Sequence, residues 1–196
     1  MLQYKDIIKD DNPILRQKSE PVALPLQPED IETMKKINEY LVNGYNDEII
    51  KQYDIRPAYG LAAPQIGVLK KMFVILATDE EGKVHHYGVI NPKIISHSEE
   101  KAFLAGGEGC LSVDRNVEGL IHRNKRIKAI VQLFDFTTKT IKEEQLNLKN
   151  LIAIIFQHEY DHLFGILFYD HINKDKPFYI PNNSYSVHIE PKNEAK

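Results

Sequence analysis

The sequence contains one cysteine and no tryptophan among its 196 residues. A lone cysteine, Cys110, excludes any intrachain disulfide, and a reducing cytoplasm is the expected setting. Long apolar runs are also missing. The longest, residues 72–77 and 151–156, are about six residues each, far short of the ~20 that a membrane-spanning helix needs. The opening stretch, MLQYKDIIKDDNP, is charged and has no apolar centre, so no secretory signal is expected. There is little excess charge of either sign. A net charge of −3 gives no reason to expect nucleic acid or an anionic membrane as a partner. Repeats and low-complexity tracts are lacking too.

What remains is an ordinary globular composition, 42% hydrophobic and 27% charged, long enough for one domain over 1–196 with a proper core. Four prolines punctuate residues 1–28. Pro28, Glu29 and Asp30 open a helix expected to reach about residue 43, with Ile31, Met34, Ile37, Tyr40 and Leu41 at helical spacing. A polar stretch, 44–57, reads as an insertion or loop, in part helical. Strands are expected at 72–77, 84–90 and 94–97, with 105–109 as loop. Residues 127–136 alternate through Ile127, Ala129, Val131 and Leu133 and pair as a hairpin with 140–148. A second helix is expected over 151–164, with Asn150 as N-cap and Gly165 just past its end. Beyond Lys174 the chain reads as a proline-containing tail, flexible over about the last ten residues. This order is α+β: antiparallel strands packed around a central metal-bearing helix, with an N-terminal helix.

The chemistry is concentrated in the second helix. His158-Glu159-Tyr160-Asp161-His162 reads HExxH. On a helix, residues i and i+4 share a face, so two imidazoles can bind one metal ion and the glutamate can reach a water on it. Eight histidines make an isolated i, i+4 pair unremarkable on a surface helix. The hydrophobic pattern argues otherwise. Leu151, Ile154 and Ile155 continue into His158 and His162 as one stripe, so both rings point inward. A buried, unpaired His pair is costly, and metal ligation satisfies both rings.

The third ligand decides which bond is cut. An extended HExxHxxGxxH motif finds Gly165 in place but Phe168 at the last position. A later glutamate would be Glu190 or Glu194, in a polar tail without helical pattern. His171 lies nine residues past His162 and is within reach. Cys110, in the glycine-rich stretch Gly106-Gly107-Glu108-Gly109-Cys110, is the stronger candidate. A thiolate is a good ligand for zinc or ferrous iron, and glycines let the backbone approach closely. Gln65, in the small-residue segment GLAAPQ, offers an amide donor, although by itself it reads as a surface glutamine in a turn.

Together GLAAPQ at 60–65, EGCLS at 108–112 and QHEYDH at 157–162 resemble the peptide deformylase family, in the family's order and over nearly the whole chain. The stretch at 44–57 looks like the Gram-positive bacterial subclass. One position departs: the first motif often has a glycine where Ala58 stands, which concerns the wall of the substrate cleft. The resemblance implies a hydrolase that removes the formyl group from an N-terminal formylmethionine. It implies Cys110, His158 and His162 as ligands of one divalent metal, with water at the fourth position. The native ion would be Fe(II), with Zn, Ni or Co able to substitute. It also implies Glu159 as the proton carrier, Gln65 and the Leu111 N–H as oxyanion donors, and Gly60 beside the substrate backbone. Formylated nascent chains at the ribosome are the implied partners. The competing enzyme is a zinc endopeptidase using HExxH, which has no need of Cys110.

The two enzymes are separated by Cys110→Ala. The Cys/His/His reading expects loss of bound metal and of turnover. Full metal content by elemental analysis together with full activity would sink it.

Overall fold

The computed structural model describes residues 1–188. Helix α1 spans Pro28–Asn43 and α2 spans Asp47–Tyr53, inside the polar insertion. Strands β1 (Gly60–Ala62), β2 (Met72–Thr78), β3 (Val84–His97), β4 (Lys101–Leu104), β5 (Arg123–Asn124), β6 (Arg126–Phe134) and β7 (Ile141–Lys149) follow. Helix α3 spans Asn150–His162, and β8 spans Ser184–Val187. One antiparallel sheet has the order β1-β2-β3-β6-β7, and a smaller one has the order β5-β4-β8.

Both faces of the larger sheet are covered, which explains the unbroken apolar run in β2. Met72 and Val74 join Met34, Ile37, Tyr40 and Leu41 of α1. Phe73, Ile75 and Ala77 face the other way and join Leu151, Ile152, Ile155 and Phe156 of α3. Alternate side chains of a strand point to opposite faces, so a strand buried on both is apolar throughout. In β6 the expected alternation holds: Ile127, Ala129 and Val131 pack toward α3.

Three expectations change. The strands at 84–90 and 94–97 are one strand, β3, with register shifts between Ile90 and Lys93 and between Ile94 and Ser96. A bulge keeps the chain in the sheet while interrupting its alternation. Asn150 does not cap α3 but is its first residue, with φ +48, and Lys149 occupies the cap position. The Leu151 N–H instead donates to Glu80 Oε1 at 3.0 Å, a carboxylate from the β2–β3 turn. The region past Lys174 contains β8, which runs parallel to β4. The tail expected to be flexible lies, from residue 189 on, outside the described residues. Gly165 does adopt the left-handed φ of +71, and a Cβ there would stand 2.4 Å from the Arg16 carbonyl oxygen. Among the described residues no helix is long and apolar enough to cross a membrane.

Tyr40 is fully buried and donates to the Arg56 carbonyl at 3.0 Å. Burial pushes its hydroxyl up to about 12. The folded value lies above the unfolded one, so its contribution is complete below pH ~10 and is lost as pH rises through about 12. Urea unfolding between about pH 9 and about pH 11.5 should therefore show Tyr40→Phe losing roughly 2 kcal/mol less than the wild type. Equal losses would show that Tyr40 does not titrate on unfolding.

Candidate metal centre

Three segments converge on the buried face of α3. The first is β1 with the turn Ala63–Ile66, the second is the loop after β4, and the third is α3 itself. Cys110, His158 and His162 are brought together, each offering a ligand atom within 4.8 Å of the others. Cys110 Sγ lies 3.4 Å from His162 Nε2. Two tetrahedral ligands at metal–sulfur and metal–nitrogen distances of about 2.3 and about 2.1 Å stand about 3.6 Å apart, so the spacing fits one ion. Burial, with the charges of His158 and Arg123, holds His162 well below its usual pKa, in the neutral form that a ligand needs. Burial opposes the charged form of His158, but its hydrogen bonds to Cys110 and Glu108 outweigh this and raise it. His171, weighed as a third ligand, is elsewhere: its Nε2 lies 2.7 Å from Asp161 Oδ2. Phe168 packs its ring against His158, with centroids 6.1 Å apart and planes at 22°. Glu190 and Glu194 lie outside the described residues.

Gln65 is not a surface residue. It is 2% exposed, and its Oε1 accepts from the Ala62 N–H at 2.9 Å. Its Nε2 reaches Ser112 Oγ at 3.1 Å and Cys110 Sγ at 3.4 Å, so the amide donor points into the site. The Leu111 N–H, beside the cysteine, makes no hydrogen bond among the described residues. Glu159 is buried, and its Oε2 has no partner among the described residues. Burial pushes this carboxyl up to about 7, against the lowering charges of His158 and Arg123. Gly60 makes room for it: a Cβ on Gly60 would stand 2.5 Å from Glu159 Oε1. These groups line a cavity of about 230 Å³ walled by Arg56, Ala58, Leu104 and Ile155. A larger cavity, about 530 Å³, lies by Lys83, His85 and Lys128 and contains none of them.

Sequence reasoning missed the shell behind the ligands. Glu108 Oε2 lies 2.8 Å from His158 Nδ1. The same carboxylate takes Arg123 Nε at 2.5 Å and Nη2 at 2.9 Å. Arg123 Nη1 donates to Asp161 Oδ2 at 2.8 Å. Burial alone would raise Glu108, but the Arg123 charge and the hydrogen bonds from His158 and Arg123 hold it at about 2. An ionised Glu108 holds the His158 Nδ1–H, which leaves Nε2 as the nitrogen on the Cys110 side for a metal. A glutamate between two glycines was a weak signal for this, and Arg123 carried none.

The donor set and the open side facing the cavity fit a metal-dependent hydrolase site, with three side chains able to ligate, a buried carboxylate and two amide donors. The family model of polypeptide deformylase matches residues 4–178. A peptide deformylase 2 of Bacillus cereus is 49% identical over 184 residues, 94% of this chain and 97% of the relative. One of Bacillus subtilis is 42% identical over 187 residues, 95% and 99% of the two chains. The crystal structure of a peptide deformylase from Thermotoga maritima superposes with a TM-score of 0.65 at 31% identity, covering 88% of this chain and 99% of that one. The chain belongs to the polypeptide deformylase family, a family of metal-dependent enzymes.

Gly60→Ala should displace the Glu159 carboxylate and lower kcat on the order of 10–100-fold while bound metal stays at the wild-type level. Unchanged kcat would show that Glu159 tolerates the shift. Equal loss of metal would place Gly60 in support of the ligands instead.

Proposed function

We propose that this chain hydrolyses the formamide of N-terminal formylmethionine on nascent polypeptides in the cytoplasm, as they emerge from the ribosome, giving formate and a free α-amino group. The observation that carries this reading is the Cys110/His158/His162 cluster with Glu159 beside it at the floor of a cleft. That the donors come from both halves of the chain supports treating 1–196 as one domain. The residues that would hold the ion are Cys110, His158 and His162. A bound dication would supply Lewis acidity and lower the pKa of water toward ~7. We read Fe(II) as the resident ion, with Zn, Ni or Co able to replace it, since a sulfur and two imidazoles suit each of them.

The chain's own groups do the rest. Glu159, pushed up to about 7, is poised to take a proton from the attacking water and deliver it to the departing amine nitrogen. We read Gln65 Nε2 and the unpaired Leu111 N–H as the donors to the formyl oxygen as it gains charge. One such donor is typically worth ~3 kcal/mol. Gly60 and Ala58 line the cleft where the peptide backbone would run. The endopeptidase alternative finds no support, because the position of its third histidine is Phe168 and the third donor is a thiol.

Anaerobically purified protein should release formate from a formyl-Met peptide, and Glu159→Ala should abolish this with metal content largely kept. Metal present without formate release would overturn the function. Parallel loss of metal in Glu159→Ala would give Glu159 a structural role.

A further inference from the structure

His171 stands outside the donor cluster, yet it is tied to it. From the surface inward, His171 Nε2 meets Asp161 Oδ2 at 2.7 Å, and the same oxygen accepts from Arg123 Nη1 at 2.8 Å. Arg123 then meets Glu108 through two N–H groups, and Glu108 meets His158 Nδ1. The arrangement is symmetric about the guanidinium. Each carboxylate takes Arg123 on one side and an imidazole on the other. One imidazole is a metal ligand and the other is 41% exposed.

One arginine cannot neutralise two carboxylates. The remaining lone pairs of a half-buried carboxylate need a donor, or the group turns toward water. Asp161, its side chain 15% exposed, finds that donor in His171. The turn that carries His171, Phe168–His171, is itself held: Asp170 Oδ2 accepts from the Leu167 N–H at 2.8 Å and pairs with Arg16. The same turn presses Phe168 on the His158 ring. A fixed donor therefore faces a carboxylate whose position sets that of Arg123.

The geometry points to His171 as a positioning residue of the metal centre. Through Asp161, Arg123 and Glu108 it holds His158 in the orientation that ligates. The inference rests on the Cys110/His158/His162 site and not on the substrate. Failure to release formate with metal still held would leave it standing.

The test uses protein loaded with cobalt(II), whose release into excess EDTA is followed by loss of visible absorption. Removing an outer partner of a metal-ligating histidine typically costs 10–100-fold in affinity, and His171, farther out, should cost less, so His171→Ala should release cobalt at least roughly threefold faster. His171→Gln, whose amide nitrogen can replace Nε2, should restore a rate near the wild type. The thermal midpoint of the metal-free proteins left in EDTA should match in all three. A wild-type rate in His171→Ala would overturn the inference, as would equally fast release from His171→Gln. So would a fall in midpoint that tracks the faster release, since that marks general loosening.

Discussion

A buried guanidinium holds the metal-bearing helix in register with the rest of the molecule. The side chains of Arg123 and Glu108 are only 4% and 3% exposed. Burying such charges costs several kcal/mol per ion, and breaking a buried pair by removing one partner typically costs 3–5 kcal/mol. Here both partners are kept: three of the five Arg123 N–H groups are bonded, two to Glu108 and one to Asp161. The backbone of β5 is clamped as well: Gln157 of α3 accepts from the Asn124 N–H at 3.0 Å and donates to the Asn124 carbonyl at 2.8 Å. Arg123 therefore reaches α3 three ways: through the adjacent Asn124, directly at Asp161, and through Glu108 at His158.

That clamp gives the HExxH helix its chemical direction. Two histidines one turn apart can face one ion only if both rings are rotated toward it, and an unconstrained ring has many alternatives. Glu108 fixes the first ring at Nδ1, and Phe168 covers its face. The second ring, His162, has no such partner at Nδ1 among the described residues and meets only Cys110 Sγ, at Nε2, 3.4 Å away. The asymmetry makes His158 the ligand whose geometry is governed by hydrogen bonds, and it is the one linked to the surface.

Much of this was legible in the sequence, but unevenly. The stripe Leu151, Ile154, Ile155, His158, His162 identified the helix and its buried face because apolar periodicity reports burial directly. The alternation of β6 and the apolar run of β2 were read for the same reason. Strands β4 and β8 were not found. Each has four residues, and β8 exposes Tyr185 and Ser186 while pairing in parallel with a strand some eighty residues away. Short strands held by distant partners leave no period to read. Arg123 was illegible for a related reason. A buried cation looks like any surface arginine until its carboxylates are placed beside it, and those come from positions 108 and 161. Asn150 misled because a capping residue type preceded the helix, while Glu80, from a distant turn, supplied the acceptor.

The third donor changes more than the ligand count, because its neighbours do separate jobs. Along five consecutive residues, Glu108 orients His158, Gly109 adds no side chain, and Cys110 offers its sulfur. Leu111 then leaves its N–H free, and Ser112 accepts from Gln65. A third histidine at the position of Phe168 would come from the turn Phe168–His171 and bring none of these groups with it. The loop also donates the Ser112 N–H to Cys110 Sγ at 3.4 Å, as Gln65 does. The ligand that differs from the protease pattern therefore comes from a loop that also carries a free backbone N–H and the hydroxyl that holds Gln65.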